Sequence, residues 1–372
     1  MSSNYCAMIH GGLNLVLKDP EPWIQACCLR SDYVPITLTQ PFWRVKPLEQ
    51  LREKNQRNEW DAGCFNCASL EQSGMRSFRQ GMNLGLNTQG ATNLSGPARI
   101  DLMFDISCNL ACRTCGPRHS TFWQKHLKSV GEWNQPIFTP RKKADVIAAL
   151  QTLDLTNLQQ VVFCGGETLL GQEYWDVAQW LAGQVPNAKD QLTLCFQTNG
   201  TQPINEANYK IIDSVHLVKL HVSIDGVAGQ FDYLRWPATW SQVTDNLYTL
   251  RERVPSNVMF LIEQTVSVFN VLYLDQVDQW VRTDFATNRE GDPVECTRHL
   301  ANGIFSLDNL SHEYVELLQS QDLAHFVLPG WQEQPEQIKI MLHEISRFDQ
   351  HRGQDIAEYF PTMYTAYQRF VS

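Results

Sequence analysis

The chain has 372 residues, 43% of them hydrophobic, which is enough for a substantial core in one large domain or two smaller ones. Its 30 basic and 40 acidic residues give a formal charge of −10 with no basic run, so a nucleic-acid partner is disfavoured. No run of 18 or more apolar residues appears, and "MSSNYCAMIHGG" lacks a basic start followed by a long apolar stretch; the expectation is a cytoplasmic protein with no membrane span.

In chain order, residues 1 to about 90 read as irregular and cysteine-rich, with Pro20, Pro22 and Pro35 breaking short apolar runs. This region carries Cys6, the adjacent Cys27 and Cys28, and Cys64 with Cys67 in "CFNC", a two-residue-spaced pair of the kind that chelates a metal. "NLGLNTQGATNLSGPA" (83–98) reads as a linker. From residue 99 the rhythm changes. Strands are expected over 99–107, 158–167, 191–200, 215–226, 257–268 and 293–300, and helices over 144–153, 173–185, 241–254 and 272–283. Strands alternating with helices imply a parallel sheet with right-handed crossovers. Beyond residue 306 the chain reads as mainly helical.

The first of these strands runs into "SCNLACRTCGPRHS" (107–120), where Cys108, Cys112 and Cys115 fall within eight residues. Three thiols leave one over, which argues against disulfides. In a reducing compartment, clustered thiols hold a metal or do redox chemistry. Zinc wants four ligands in two pairs, and His119 could complete such a set. A four-iron cube on three cysteines leaves one iron open to a small molecule, and the spacing favours it. Later strands end in "GGE" (165–167), "TNG" (198–200) and "SIDG" (223–226). In parallel α/β barrels such ends converge on one face, so the four signatures describe one site.

This order of Cys-x3-Cys-x2-Cys, GGE, TNG and SIDG resembles the radical S-adenosylmethionine (SAM) enzymes over roughly residues 99 to 300. The resemblance implies an α/β fold, a partial (β/α)6 TIM-like barrel. Cys108, Cys112 and Cys115 would hold a [4Fe-4S] cluster whose fourth iron chelates the amino and carboxylate groups of SAM. Gly165 and Gly166 would let the backbone approach the methionine part of SAM, an ordinary strand-ending turn being the alternative. Glu167 would accept a hydrogen bond from the SAM ammonium. Thr198, Asn199 and Ser223 would serve the ribose and carboxylate, and Asn270 would lie near the adenosine. Arg235 would pair with the SAM carboxylate or lie at the surface. Asp225 caps or shapes its turn. Two departures stand out: Thr114 where the family usually has an aromatic residue, and Thr168 where it often has proline.

"CFNCASLEQSGMRSFR" (64–79) resembles the Cys-x2-Cys…Glu…Gly…Ser-x-Arg signature of radical SAM proteins with a twitch domain, and "FDQHRGQDIAEYFP" (348–361) resembles the helical tail of that subgroup. The resemblance implies an N-terminal cysteine-rich module (1–90) with an auxiliary [4Fe-4S] cluster, a barrel (91–300) and a helical C-terminal extension (301–372). Cys6, Cys27, Cys64 and Cys67 are its ligand set, with Cys28 the substitute for Cys27 and zinc the alternative occupant. Cys164, Cys195 and Cys296 read as small hydrophobes, His10 as structural, and Trp23, Trp60, Trp123 and Trp236 as packing. The expected activity is that of a radical SAM oxidoreductase or transferase. It would cleave SAM to a 5′-deoxyadenosyl radical that takes hydrogen from an unidentified substrate, with a peptide or a sugar as candidates, and a flavodoxin- or ferredoxin-type protein would supply electrons. The auxiliary cluster would accept an electron or hold the substrate. A zinc-holding scaffold and a SAM-dependent methyl or sulfur transferase are the rival readings.

Overall fold

The computed structural model describes residues 4–18, 21–72, 76–88, 90–288, 291–328 and 330–371. Pro20 and Gly74, from the stretches quoted above, lie outside the described residues. The chain forms two compact units: Met1–Ser107, Phe138–Gln197 and Ile204–Leu220 make the first, and Cys108–Ile137, Thr198–Pro203 and His221–Ser372 the second.

The first unit carries β1 (Gly12–Val16), β2 (Trp23–Gln25), β3 (Val34–Pro35), β4 (Arg99–Met103), β5 (Gln160–Phe163), β6 (Thr193–Thr198) and the start of β7 (Leu217–Ser223), in the order β3-β2-β1-β4-β5-β6-β7. β1, β4, β5 and β6 run parallel, with Gly12 opposite Arg99, Arg99 opposite Gln160 and Gln160 opposite Thr193. That register aligns Ile100, Val161 and Leu194 in one row and Leu102, Phe163 and Phe196 in the next, all fully buried on one face. Helices Lys143–Leu150 and Glu173–Gln184 supply crossovers. Trp175 of the latter stacks on Phe196 with ring centres 4.6 Å apart.

Residues 1–90 differ from the irregular stretch expected of them. β1 pairs parallel with β4 and antiparallel with β2, so this region extends the sheet. The run "LNLV" is too short to announce a strand by periodicity. Leu13, Leu15 and Val16 earn their place by burial against the sheet. Residues 83–98 are likewise packed rather than a free linker. Ala98 N donates to Gly11 O (2.7 Å), Trp43 Nε1 to Leu94 O (3.2 Å), and the hydroxyls of Tyr5 and Thr88 are hydrogen-bonded at 2.8 Å. Their Gly, Asn and Ser content marked turns, and turns can be anchored.

In the second unit, the end of β7 is followed in order by β8 (Val258–Val266) and β9 (Glu295–Leu300). β8 and β9 are parallel, with Leu261 opposite Glu295, and helix Leu274–Asp284 connects them. The strict alternation along β8 buries Val258, Phe260, Ile262 and Val266 and leaves Glu263 and Thr265 on the other face. The tail is helical, as the sequence suggests. Its longest element, Pro335–Arg352, buries Ile338, Met341 and Ile345 in a cluster with Tyr233, Phe269 and Phe360. Helices Thr121–Ser129 and Ala228–Leu234 were not anticipated. Among the described residues no helix is long and apolar enough to cross a membrane.

Candidate functional site

The cysteine stretch after β4 has no regular structure, so its backbone needs partners elsewhere. Within the second unit it finds them. Ala111 N donates to Trp236 O and Arg113 N to Leu234 O, each at 2.8 Å. Ser120 Oγ donates to Leu110 O (2.6 Å) and Trp123 Nε1 to Cys112 O (2.9 Å). Ser120 also caps helix Thr121–Ser129 by accepting from Trp123 N. The "TNG" segment braces the same loop: Asn199 Nδ2 donates to Asn109 Oδ1 (2.9 Å) and lies 3.9 Å from Cys108 Sγ, and Asn109 Nδ2 donates to Thr201 Oγ1 (2.8 Å). Thr198 Oγ1 accepts from Gly200 N at 3.1 Å.

Charge gathers at Cys112. Its thiol is buried, and burial pushes its pKa up while Arg235 draws it down. Arg235 Nη1 lies 3.9 Å from Cys112 Sγ, and its Nη2 is 2.7 Å from Asp225 Oδ2. Burial alone would lower the Arg235 pKa; Asp225 and then Cys112 reverse this and raise it. The Arg352 guanidinium sits 4.8 Å from the Trp123 ring centre and 5.0 Å from that of Trp236. None of its three nitrogens has a hydrogen-bond partner among the described residues, and burial lowers its pKa to about 9. A buried cation without acceptors is costly unless an anion lies close by. A cube on three thiolates is such an anion, so this set of sulfurs and cations fits it.

Two candidate SAM contacts have partners within the chain. Arg235 is committed to Asp225 and leans on Cys112 rather than lying at the surface. Asn270 uses its whole amide: Nδ2 donates to Asp225 O (2.8 Å) and Thr265 O (2.9 Å), and Oδ1 accepts from Ser267 N (2.8 Å) and Ser267 Oγ (3.2 Å). It braces the "SIDG" turn, as does Asp225 by accepting from Thr265 N at 2.7 Å. Ser223 is half-buried at the end of β7. The sequence reading missed Asn109 and Arg113, whose side chains bond distant parts of the chain, and Arg352, whose ring partners Trp123 and Trp236 are likewise distant.

In the first unit, "GGE" follows β5. Gly165 has φ +92° and Gly166 φ +49°. A Cβ would fall 2.5 Å from Asp105 O at Gly165 and 2.2 Å from Ser107 O at Gly166. These glycines are therefore demanded by the protein's own backbone, a reason independent of SAM. Glu167 is buried; its N–H donates to Ser107 O (2.8 Å) and its Oε1 accepts from Leu169 N (3.0 Å). Tyr174 Oη donates to Asp105 O and Cys164 O, each at 3.1 Å.

Also within the first unit, Cys6, Cys27, Cys64 and Cys67 line one pocket, together with Met8, Arg30, Trp60 and Arg79. Cys6 precedes helix Ala7–Gly11, and Asn55 Oδ1 accepts from its N–H at 3.3 Å. Cys64 closes the turn Ala62–Cys64, which Asp61 caps, and Cys67 lies in helix Phe65–Gln72. Burial pushes the Cys6 thiol up to about 11. Cys28 does not line the cavity; its thiol pKa is lowered, first by Cys27, and it lies near Asp101 and Arg99. Glu71, Ser77 and Arg79 of the signature bind one another, and Arg79 Nη1 donates to Tyr5 O at 2.6 Å beside Cys6. His10 stacks on Tyr5 and bonds Asn55. Cys195 is buried and accepts from Gln160 Nε2 at 3.3 Å. Among the described residues no three His, Cys, Asp or Glu side chains converge closely enough to hold a single metal ion. Four thiols around one pocket are a donor set that a four-iron cube takes with one thiolate on each iron, and that zinc takes as well.

Residues 106–270 match the family model described as the Radical SAM superfamily, so the chain carries a domain of that superfamily. No curated protein matches the chain. Among solved structures, it is similar to "Native anSMEcpe with bound AdoMet" (AdoMet being SAM) at 18% identity and TM-score 0.40, covering 68% of this chain and 62% of that one. It is also similar to "Crystal structure of Streptococcus suis SuiB bound to precursor peptide SuiA" at 10% identity and TM-score 0.37, covering 85% of this chain and 65% of that one. The chain thus spans about three fifths of the length of the first of these proteins.

Proposed function

We propose that the chain is a radical SAM enzyme with two four-iron clusters, one on Cys108, Cys112 and Cys115 and an auxiliary one on Cys6, Cys27, Cys64 and Cys67. The observation that carries this reading is the pinned three-thiol loop with its buried cations, lying inside the stretch that matches the Radical SAM superfamily. A four-iron cluster held by Cys108, Cys112 and Cys115, together with SAM, would supply the chemistry: reductive cleavage of SAM to methionine and a 5′-deoxyadenosyl radical able to take hydrogen from a substrate.

The chain's own residues bind, orient and balance charge. Asn199, Asn109 and Trp123 hold the cysteine loop in shape, while Arg235 and Arg352 offset its negative charge. Glu167 is the acceptor for the SAM ammonium, and Thr198 and Ser223 serve the ribose and carboxylate, with Gly165 and Gly166 shaping the turn before Glu167. Residues 1–90 form the auxiliary module, 91–300 the partial barrel and 301–372 the helical extension that fastens the cysteine loop. Four thiols on one cavity leave no iron open, which favours electron acceptance over substrate holding. A flavodoxin- or ferredoxin-type protein supplies electrons, and the substrate is a peptide or a sugar.

The test is anaerobic reconstitution with iron and sulfide, then incubation with SAM and a one-electron reductant. Visible sulfur-to-iron charge-transfer absorption and release of 5′-deoxyadenosine support the reading. A zinc protein gives no such absorption, and S-adenosylhomocysteine as the main product marks a methyl transferase.

A further inference from the structure

Arg30 lies three residues beyond Cys27, and its side chain is 5% exposed. Its fork is divided between a sulfur and two carboxylates. Nη1 donates to Cys64 Sγ at 3.2 Å, Nε to Asp32 Oδ1 at 2.7 Å, and Nη2 to Asp61 Oδ1 at 2.8 Å. Asp61 is itself fixed: it accepts from Gly63 N at 3.0 Å and pairs with Lys54 at 3.0 Å. The guanidinium is therefore oriented by groups other than the thiol it touches.

Gly63, next to Cys64, supplies an independent observation. Its backbone is not left-handed, so conformational freedom does not explain it. A Cβ there would lie 2.8 Å from the Arg30 guanidinium carbon. The missing side chain is the space through which Arg30 reaches Cys64.

We infer that Arg30 is a positioning residue for the auxiliary cluster, raising its reduction potential through the Nη1–H···Sγ bond to Cys64. The inference rests on the proposed ligand set of Cys6, Cys27, Cys64 and Cys67. A cationic donor on a ligating sulfur stabilises the more negative, reduced cluster more than the oxidised one. Arg30 stays protonated throughout, so no proton moves. The electron gained by the cluster comes from the substrate radical and leaves to a one-electron carrier of flavodoxin or ferredoxin type. A raised potential favours the first of these transfers.

The experiment uses the full chain with Cys108, Cys112 and Cys115 replaced by Ala, reconstituted so that only the auxiliary cluster is present. Its midpoint is read by an electron paramagnetic resonance redox titration. Arg30→Met lowers the reduced-to-oxidised ratio at fixed potential about tenfold, ~59 mV for a one-electron couple. Arg30→Lys, which keeps the charge but not the fork, gives a smaller fall. Gly63→Ala displaces the guanidinium while keeping Arg30, and lowers the midpoint even if Arg30→Met cannot hold iron. Iron-loaded variants with unshifted midpoints overturn the inference alone. A parent that binds no iron overturns the two-cluster reading and the inference with it.

Discussion

Arg113, between the second and third cysteines of the loop, is ion-paired with Asp349 of helix Pro335–Arg352, and its guanidinium lies 3.8 Å from the Tyr233 ring centre. Its Nη2 also donates to Gln354 Oε1 at 2.9 Å, and Asp349 accepts from Ile356 N at 2.8 Å. The tail is thereby fastened to the cysteine loop. Asp349→Ala leaves a buried guanidinium without its carboxylate, which costs about 3–5 kcal/mol. Thermal melting should fall and iron retention at the barrel cysteines should drop with it. An unchanged melting temperature with full iron would show the pair to be incidental.

Gly166 and Glu167 are neighbours with different jobs, and substitution separates them. Gly166→Ala places a side chain at φ +49° and 2.2 Å from Ser107 O, so it should destabilise the chain by about 2 kcal/mol or more. Glu167→Ala should leave iron loading intact and weaken SAM binding by roughly 1.5–3 kcal/mol, the worth of one hydrogen bond to a charged group. Calorimetric titration with SAM checks the second expectation. Equal affinity would mean that Glu167 serves only its turn.

Much of this was legible in the sequence, for identifiable reasons. Val161 to Phe163 and Leu194 to Phe196 are unbroken apolar runs, as strands of a covered parallel sheet are, while Ile100 and Leu102 alternate with Asp101. Cys108, Cys112 and Cys115 fall in one loop by spacing alone, whereas the long gaps between Cys6, Cys27 and Cys64 do not by themselves say that these thiols line one pocket with Cys67. β1 was not legible, because five residues carry too little periodicity until β4 is beside them. The glycines of "GGE" were visible but not their reason, since Asp105 and Ser107 approach from some sixty residues away. Arg113 meets Asp349 across 236 positions, a pairing no local pattern records. Cys27 and Cys28 are adjacent, and only the direction of the chain after β2 decides which faces the cavity.

His126 gives a pH signature. Burial, then Arg352 and His351, lowers its pKa from 6.5 to about 4. The unfolded chain therefore takes up a proton before the folded one does. The contribution of neutral His126 to stability is full above pH 6.5 and is lost as the pH falls toward 4. Between about pH 7 and pH 5 the melting temperature of the native chain should fall more steeply than that of His126→Gln. Parallel profiles would contradict this.

Cys64 and Cys67 are proposed to serve the second step of the reaction rather than SAM cleavage. Cys64→Ala with Cys67→Ala should still release 5′-deoxyadenosine, more slowly, but should form little product once a substrate is in hand. Loss of the cluster also removes folding energy from residues 1–90, so cooperative melting of the variant has to be shown alongside. Full product turnover by a folded double variant would reduce the cavity to a structural feature.

The most direct measurement combines iron content and 5′-deoxyadenosine release in a chain with Cys108, Cys112 and Cys115 all replaced by Ala. Iron should fall by about half, because each thiol set is assigned one cluster of the same kind, and SAM cleavage should be abolished. A triple variant that retains full iron and cleaves SAM as the native chain does would contradict the assignment of these three cysteines.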